Sequence, residues 1–297
     1  MQALCDAKQL LPTSFWNAAM HVILADSFGL CFGVRDALSL AERTRDPQSV
    51  TIHGELVHNE RVLHHLSGRG FHVTPESDRK TLPTTPRVMV TAHGISDRER
   101  GRLESAGLRL IDSTCPLVQR VHRAAQALAA AGRYVLVIGR PGHVEVQGIV
   151  EDLSDFEIVD RPEDVHPYPE QRLGIICQST TSPRLAEQVQ AVIREKNPHA
   201  DIEFVDTICQ PTRDRQEAVR RLLPQVDAVV VVGGRNSNNT RELAALCEAG
   251  GKPAFHVQSA DDLDPQWFRD CRTVGLTAGT STLDETIESV RNALLAM

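Results

Sequence analysis

The chain has 297 residues, of which 41% are apolar and 24% charged, and its formal net charge is −7. This length allows a large core and two or three domains. The negative charge argues against sequence-blind binding to nucleic acid or an anionic membrane, and the longest apolar runs, such as 228–232, have the length of a strand rather than of a membrane span.

The start of the chain carries no basic segment followed by an apolar run, and the seven cysteines are widely spaced. Neither feature is typical of a secreted disulfide scaffold. We therefore expect a cytoplasmic protein that binds neither nucleic acid nor membrane. Residues 1–19 are predicted to be an N-terminal extension, either disordered or a misassigned start, and a strand-like segment begins near residue 20.

The rest of the chain repeats one order of elements three times. Segments 22–26, 110–112 and 204–206 each resemble a strand that ends in Asp, and each is followed by a cysteine and a helical pattern. A second strand comes next, at 50–52, 134–138 and 228–232, and runs into a polar loop; a further helix and two strands complete each copy. This alternation predicts α/β units with mostly parallel sheets. We predict domains at 33–114, 115–208 and 209–297 around a pseudo-threefold axis, preceded by segment 20–32.

Cys31, Cys115 and Cys209 occupy matching places in the three copies, 84 and 94 residues apart. A thiol at a helix start feels the positive end of the helix dipole, which favours the thiolate. Three thiolates could hold an iron–sulfur cluster whose fourth iron stays free to bind a substrate as a Lewis acid. Zinc with three cysteines and a water is the alternative. The remaining cysteines fit small buried hydrophobic side chains.

Polar side chains follow the predicted strands, at the edge of the sheets where ligands bind in such folds. The repeat predicts that His58, His93 and His143 lie in three equivalent loops. Imidazoles can donate hydrogen bonds to phosphate oxygens. Neighbouring glycines let backbone amides approach an anion. Further short donors are Ser179, Thr180, Ser237, Asn239, Thr280 and Ser281. The set suits a diphosphate, although Ser, Thr and Asn also simply favour turns.

Glu145 lies two residues after His143 in the same loop. A partly desolvated carboxyl beside an anionic cluster should have a raised pKa and could act as a general acid. The alternative is a surface carboxylate in a turn.

Several ordered segments carry a family resemblance. They are Gly-Leu-Cys-Phe-Gly-Val at 29–34, Glu-Leu-Val-His-Asn at 55–59, Ala-His-Gly-Ile-Ser at 92–96, Asp-Ser-Thr-Cys-Pro-Leu-Val at 112–118, Gly-His-Val-Glu-Val-Gln-Gly at 142–148, 206–209 with 215–219, Asn-Ser-Asn-Asn at 236–239, and Thr-Ala-Gly-Thr-Ser at 277–281. Through them the chain resembles the LytB/IspH family, the 4-hydroxy-3-methylbut-2-enyl diphosphate reductases of the non-mevalonate isoprenoid pathway.

The resemblance implies a trefoil of three α/β domains around one [4Fe–4S] cluster per chain, with segment 20–32 packed on the third domain. Cys31, Cys115 and Cys209 match the cluster ligands, and Glu145 matches the acid that supplies protons to the substrate hydroxyl. Positions that match diphosphate contacts are His58, His93, His143, Ser179, Thr180, Ser237, Asn238, Asn239 and Ser281. Family members add two electrons and two protons, lose water, and release isopentenyl and dimethylallyl diphosphate, with electrons from a ferredoxin or flavodoxin.

Two departures from the family pattern stand out. Ser179-Thr180 replaces a frequent Thr-Thr pair and keeps a hydroxyl, whereas Asn238 replaces a hydroxyl by a bulkier amide. Two other interpretations stay open: a three-cysteine cluster enzyme resembling quinolinate synthase, which would want arginines for a dicarboxylate, and a non-catalytic iron–sulfur or zinc sensor, which would need no acid beside the metal.

Overall fold

The computed structural model describes residues 20–297, so the predicted extension over 1–19 lies outside it. Among these residues are twelve strands, at His21–Leu24 (β1), Val50–His53 (β2), His72–Thr74 (β3), Arg87–Val90 (β4), Arg109–Asp112 (β5), Tyr134–Ile138 (β6), Phe156–Val159 (β7), Arg172–Cys177 (β8), Asp201–Phe204 (β9), Ala228–Val232 (β10), Ala254–Val257 (β11) and Thr273–Ala278 (β12). Nine α-helices accompany them, at Phe32–Arg43 (α1), Glu60–Gly68 (α2), Asp97–Ser105 (α3), Pro116–Ala130 (α4), Val144–Val150 (α5), Pro183–Lys196 (α6), Gln210–Leu222 (α7), Asn238–Ala249 (α8) and Asp284–Leu295 (α9).

The strands form three parallel sheets with one strand order. The first sheet runs β3-β2-β4-β5, the second β7-β6-β8-β9 and the third β11-β10-β12-β1. The edge strand of the third sheet thus comes from the other end of the described chain: β1 pairs with β12, Val22 opposite Val274. In each sheet the strand that precedes a cysteine takes this edge position. The predicted α/β class, with three repeated units, is confirmed.

The central strands are nearly continuous apolar runs because both faces of each sheet are covered. In β10, Val229 and Val231 join the core on one face, while Val230 and Val232 join the core on the other. β6 divides its residues in the same way between two cores. This alternation follows from the period of two in a strand, and it leaves the polar loops at the strand ends as the places where the three units can meet.

The predicted strands at 134–138 and 228–232 are confirmed residue for residue. The prediction that each strand before a cysteine ends in Asp is correct for β5 alone, because β1 and β9 end two residues before Asp26 and Asp206. The Asp206 carboxylate accepts a hydrogen bond from the Ile208 N–H at 3.2 Å and so forms the turn toward the helix. The exact domain boundaries stay a prediction.

None of the helices over residues 20–297 combines the length and the apolar composition that a bilayer crossing requires.

Candidate active site

Each of the three predicted cysteines is the residue just before a helix: Cys31 precedes α1, Cys115 precedes α4 and Cys209 precedes α7. Their backbone N–H groups donate to carbonyls in the loops after three equivalent strands, Cys31 to Thr280 (3.1 Å), Cys115 to Ala92 (3.1 Å) and Cys209 to Ser179 (2.9 Å). In each case the carbonyl belongs to the preceding unit. The same junction is therefore built three times, and each junction carries one thiol.

The structure brings these thiols near one another. A Cβ atom added to Gly33, two residues after Cys31, would collide with the Sγ of Cys115. A charge on Cys31 also raises the pKa of both Cys115 and Cys209, so the three thiols share one electrostatic neighbourhood. Among residues 20–297, no three Cys, His, Asp or Glu side chains surround a point closely enough to hold a single metal ion.

Burial outweighs the helix dipole at two of the thiols. Desolvation raises the pKa of Cys209 to about 11, and the Thr212 hydroxyl and amide oppose it only in part. Desolvation also raises the pKa of Cys115, against the amides of Leu117 and Val118. The amides at the helix starts thus favour the thiolates as expected, but desolvation is the larger effect at both groups. Losing contact with water costs the anion more than the first-turn amides return.

Glu145 lies inside the protein, in the first turn of α5, with 2% of its surface exposed. Its Oε1 accepts the Ser179 N–H at 2.6 Å, and its Oε2 accepts the Ser179 hydroxyl at 2.9 Å. Burial raises its pKa to about 6, against these two hydrogen bonds and the charge of His58. The surface-carboxylate alternative is excluded by the burial. Its charge also raises the pKa of Cys115 and Cys209, so this carboxyl lies near the thiols.

The three histidines form one imidazole cluster. The ring of His58 stacks on His93 with centroids 4.2 Å apart, and His143 stands edge-on to both, at 5.2 Å from His58 and 5.8 Å from His93. Their loops are not three equivalent ones, as the sequence had suggested. His58 and His143 follow the equivalent strands β2 and β6, whereas His93 follows β4. The first unit therefore supplies two imidazoles and the second unit supplies one.

Hydrogen bonds define the roles of two of these rings. His143 Nδ1 accepts the Glu145 N–H at 3.2 Å, which leaves the hydrogen of the neutral ring on Nε2. Burial, with His58 and Arg140 nearby, lowers the pKa of His143 to about 3. His58 Nδ1 lies 2.7 Å from the Glu55 carboxylate, which can only accept, so Nδ1 donates. His58 Nε2 and His93 Nδ1 are buried without a partner among residues 20–297.

The third unit adds hydroxyl and amide groups beside this cluster. Ser237 caps α8 by accepting the Thr240 N–H at 3.3 Å, and Ser281 donates its hydroxyl to the His58 carbonyl at 3.0 Å. Asn239 accepts the Thr280 N–H at 3.1 Å, while its Nδ2 is buried without a partner in the described part of the chain. Orphaned buried donors are costly unless a ligand satisfies them.

Asn238 connects the second and third units. Its Nδ2 donates to the Thr180 hydroxyl at 3.1 Å, and Gln178 Nε2 donates to the same hydroxyl, also at 3.1 Å. The amide that departs from the family pattern is thus hydrogen-bonded to the loop that carries Thr180.

Comparison with known proteins identifies the family. The family model described as LytB protein matches residues 22–295. The chain belongs to the LytB family. Among curated LytB relatives, the 4-hydroxy-3-methylbut-2-enyl diphosphate reductase of Aquifex aeolicus is 32% identical over 93% of this chain and 96% of its own. The reductase of that name from Anaeromyxobacter sp. strain K is 35% identical over 94% of this chain and all of its own. The predicted enzyme class, an oxidoreductase, is confirmed.

Solved LytB-type structures share the architecture. The E-1-hydroxy-2-methyl-but-2-enyl-4-diphosphate reductase of Plasmodium falciparum superposes with a TM-score of 0.84 at 27% identity, over 93% of this chain and 88% of that one. A structure of (E)-4-hydroxy-3-methyl-but-2-enyl diphosphate reductase gives 0.63 at 32% identity, over 94% and 100%. The predicted trefoil arrangement of three α/β units is confirmed.

Sequence reasoning missed two residues of the LytB segment at 55–59. Glu55 orients the ring of His58 and also accepts from Asn236 Nδ2 at 3.2 Å. Asn59 caps α2 by accepting the N–H groups of Arg61 and Val62, and its side chain donates to the Ser281 carbonyl at 2.7 Å. An Asn before a predicted helix is a recognisable capping signal; the contact with Ser281 leaves no trace in the local sequence.

Proposed function

We propose that this LytB-family protein reduces 4-hydroxy-3-methylbut-2-enyl diphosphate to isopentenyl and dimethylallyl diphosphate, in the non-mevalonate pathway. The relatives bear the name of this activity. One observation carries the proposal for this chain: a buried carboxyl with a pKa near neutrality shares an interior with three thiols and three imidazoles. That combination offers ligands for an iron–sulfur group, a proton donor and anion contacts in one place.

The proposed cofactor is a [4Fe–4S] cluster held by Cys31, Cys115 and Cys209. The residues fit such a group, because each unit presents one thiol at a helix start and the Cβ-free Gly33 leaves room beside Cys115. When bound, such a cluster supplies electrons and an iron with an open position for the substrate oxygen. The positive charge of the iron would favour the thiolate form of its cysteine ligands despite their burial.

The diphosphate is proposed to bind among the imidazoles and the first turn of α8. His143 presents an N–H there from its Nε2, and Asn239 Nδ2 and the Ser237 hydroxyl add further donors. Asn239 Nδ2 is among the buried groups that have no partner in the described chain, which is the state that an anion would relieve. Thr180 keeps its hydroxyl hydrogen as a further donor, since Asn238 and Gln178 donate to its oxygen and use only acceptor positions.

Glu145 is the proposed proton donor. Its pKa of about 6 leaves a useful protonated fraction near neutral pH, and the Ser179 bonds hold the carboxyl in place. In the overall reaction a C–O bond breaks, a C–H bond forms, and two electrons and two protons are consumed as water leaves. Glu145 protonates the departing hydroxyl oxygen. The electrons are proposed to come from a ferredoxin or flavodoxin in the cytoplasm.

The proposal is tested by anaerobic purification with iron and sulfide analysis and electron paramagnetic resonance, followed by addition of the allylic diphosphate and reduced methyl viologen. We expect four iron atoms per chain, a spectrum that changes on ligand addition, and both products by mass spectrometry. Cys115→Ser should lose the iron, whereas Cys271→Ser, a matched change outside the centre, should keep it. A colourless zinc protein that does not respond to the diphosphate would overturn the proposal.

The two other interpretations from the sequence receive less support. A dicarboxylate site would need arginines that face the ligand, yet Arg140 is half-buried and Arg235 is exposed. The donors beside the imidazole cluster are hydroxyl and amide groups. A sensor would not require a buried acid beside the thiols, whereas Glu145 is held there by two hydrogen bonds.

A further inference from the structure

Arg215 is a buried cation in the second turn of α7, with only 5% of its surface exposed. Its Nη1 donates to the carbonyl of Pro211 at 2.9 Å, and its Nη2 donates to the carbonyl of Gly29. Pro211 lies two residues after Cys209, and Gly29 lies two residues before Cys31. The guanidinium therefore spans the two chain segments that carry these thiols.

This guanidinium lacks the carboxylate partner that buried arginines ordinarily have. Among the ion pairs of residues 20–297 none includes Arg215, and its buried Nε has no hydrogen-bond partner there. Two carbonyl contacts do not offset the charge of a desolvated cation, which is costly unless an anion is close. Burial accordingly lowers the pKa of Arg215. The buried positive charge of Arg215 therefore destabilises the fold unless a nearby negative charge stabilises it.

The negative charges that can stabilise Arg215 are those of the cysteine sulfur atoms. Negative charges on Cys31 and on Cys209 act on Arg215 more strongly than that of Asp214, the exposed neighbour, while Arg35 acts in the opposite direction. A cysteine sulfur carries this negative charge when it binds a metal as a thiolate.

We propose that Arg215 is the counter-charge of the thiolate centre, where it stabilises the negative charge that the bound group carries and gains on reduction. The inference rests on the proposed function, since it requires a group held by the three cysteines. Arg215 is a positioning residue in this scheme: it touches neither substrate nor acid. Its two carbonyl contacts fix the guanidinium, and its charge sets how readily the centre accepts an electron.

Two substitutions separate charge from hydrogen bonding. Arg215→Lys keeps the positive charge, whereas Arg215→Gln removes it and retains a donor for a carbonyl. Arg221→Gln is the matched control: Arg221 lies on the same helix and reaches Asp26, also just before Cys31, at 3.1 Å, but it is exposed. The readouts are the midpoint potential of the reconstituted centre, titrated with dithionite and followed by electron paramagnetic resonance, and urea unfolding of the cluster-free proteins.

We expect Arg215→Gln to weaken the affinity for the added electron at least about tenfold, which is about 59 mV for a one-electron couple. Arg215→Lys should stay within about threefold of the parent, and Arg221→Gln should not differ from it. In the cluster-free state, Arg215→Gln should unfold at the same or higher urea concentration than the parent, because an uncompensated buried cation has been removed.

An unchanged potential in Arg215→Gln would overturn the inference, as would equal shifts in the Gln and Lys variants, which would mean that only the carbonyl contacts matter. If Arg215→Gln retains no cluster, the cluster-free unfolding decides: a lower midpoint indicates a purely structural role and contradicts the proposal. A parent protein that binds no iron would overturn the proposed function itself, and the inference with it. A normal cluster whose midpoint potential does not change with the substitutions at Arg215 would overturn the inference and leave the proposed function intact.

Discussion

Glu145 shows how one residue type acquires a chemical role from its surroundings. On the surface the same carboxyl would be almost fully ionised at neutral pH. Here burial raises its pKa to about 6, so that a minor fraction keeps its proton, while Ser179 binds both of its oxygens. Desolvation raises the proton affinity of the Glu145 carboxyl. The two hydrogen bonds from Ser179 limit that rise and fix the orientation of the carboxyl. The result is a group that can give up a proton at physiological pH without leaving its place.

The first prediction concerns this carboxyl group itself. Glu145→Gln should lower turnover of the allylic diphosphate about 10²–10⁴-fold, because the amide has no acidic proton to donate. The amide keeps the size of the carboxyl and can still accept the Ser179 N–H, so iron content and the spectrum of the resting centre should match the parent. Product formation under reduced methyl viologen measures the loss. A variant with parental turnover would remove Glu145 from the reaction.

The second prediction concerns pH. As pH rises through about 6, Glu145 loses its proton, so kcat/KM should fall about tenfold for each further pH unit. His143, with its pKa near 3, stays neutral throughout and adds no limb above pH 5. A steady-state pH profile from 5 to 9 tests this, with the residual rate of Glu145→Gln as the control that should lack the limb. A rate independent of pH across this range would contradict the assignment.

At the scale of elements, the starts of three helices position the three cysteines. α1, α4 and α7 each begin directly after a cysteine whose N–H is fixed to a loop of the preceding unit. The close approach of α1 to Cys115 depends on Gly33, where a Cβ would meet the sulfur. A residue chosen for helix propensity alone would not be glycine here.

Gly33→Ala is the third prediction. Alanine favours a helix over glycine by about 1 kcal/mol, but its Cβ must displace the Cys115 sulfur. We expect less than half of the parental iron content, with cluster-free stability changed by no more than about 1 kcal/mol. Gly101→Ala in α3 is the control, since a Cβ there meets nothing within 4 Å; it should keep its iron. Full iron occupancy in Gly33→Ala would mean that Cys115 does not need this space.

At the scale of the whole molecule, the threefold repeat is closed by the two ends of the described chain. In the first two units a helix leads back to the edge strand through three residues (106–108) and four residues (197–200). In the third unit α9 ends at Leu295 and the edge strand β1 begins at His21. Met20 packs against the hydrophobic core that contains Leu294, and α9 contacts β1, so both ends lie on the same core.

A circular permutant is the fourth prediction. Joining Met297 directly to Met20 leaves residues 296, 297 and 20 between α9 and β1, a connection as long as 106–108. New ends between Gly107 and Leu108 would make β5 the first strand, placed before Cys115 as β1 is placed before Cys31. We expect cooperative urea unfolding within about 2 kcal/mol of the 20–297 parent, since every sheet keeps its pairs. Loss of cooperative folding would show that the order of synthesis, and not only the pairing, matters.

Much of this protein was determined by short stretches of sequence. The period of the apolar residues, the runs 134–138 and 228–232, and the position of a cysteine at each helix start are local properties, and they predicted the α/β units and the polar loops. Local patterns could not predict that His93 belongs to a different loop position from His58 and His143, because the two kinds of loop have similar composition.

Only the tertiary structure decided which groups lose water and which ones meet. Asn59 donates to Ser281, 222 residues away in sequence. The first strand, β1, pairs with the last strand, β12, and so completes the third sheet. Burial outweighed the helix amides at Cys115 and Cys209, and it raised the pKa of Glu145 to about 6. Propensity and periodicity depend on a residue's neighbours along the chain. Desolvation and hydrogen bonding depend instead on everything packed around a group. Those two effects could therefore be known only from the assembled fold.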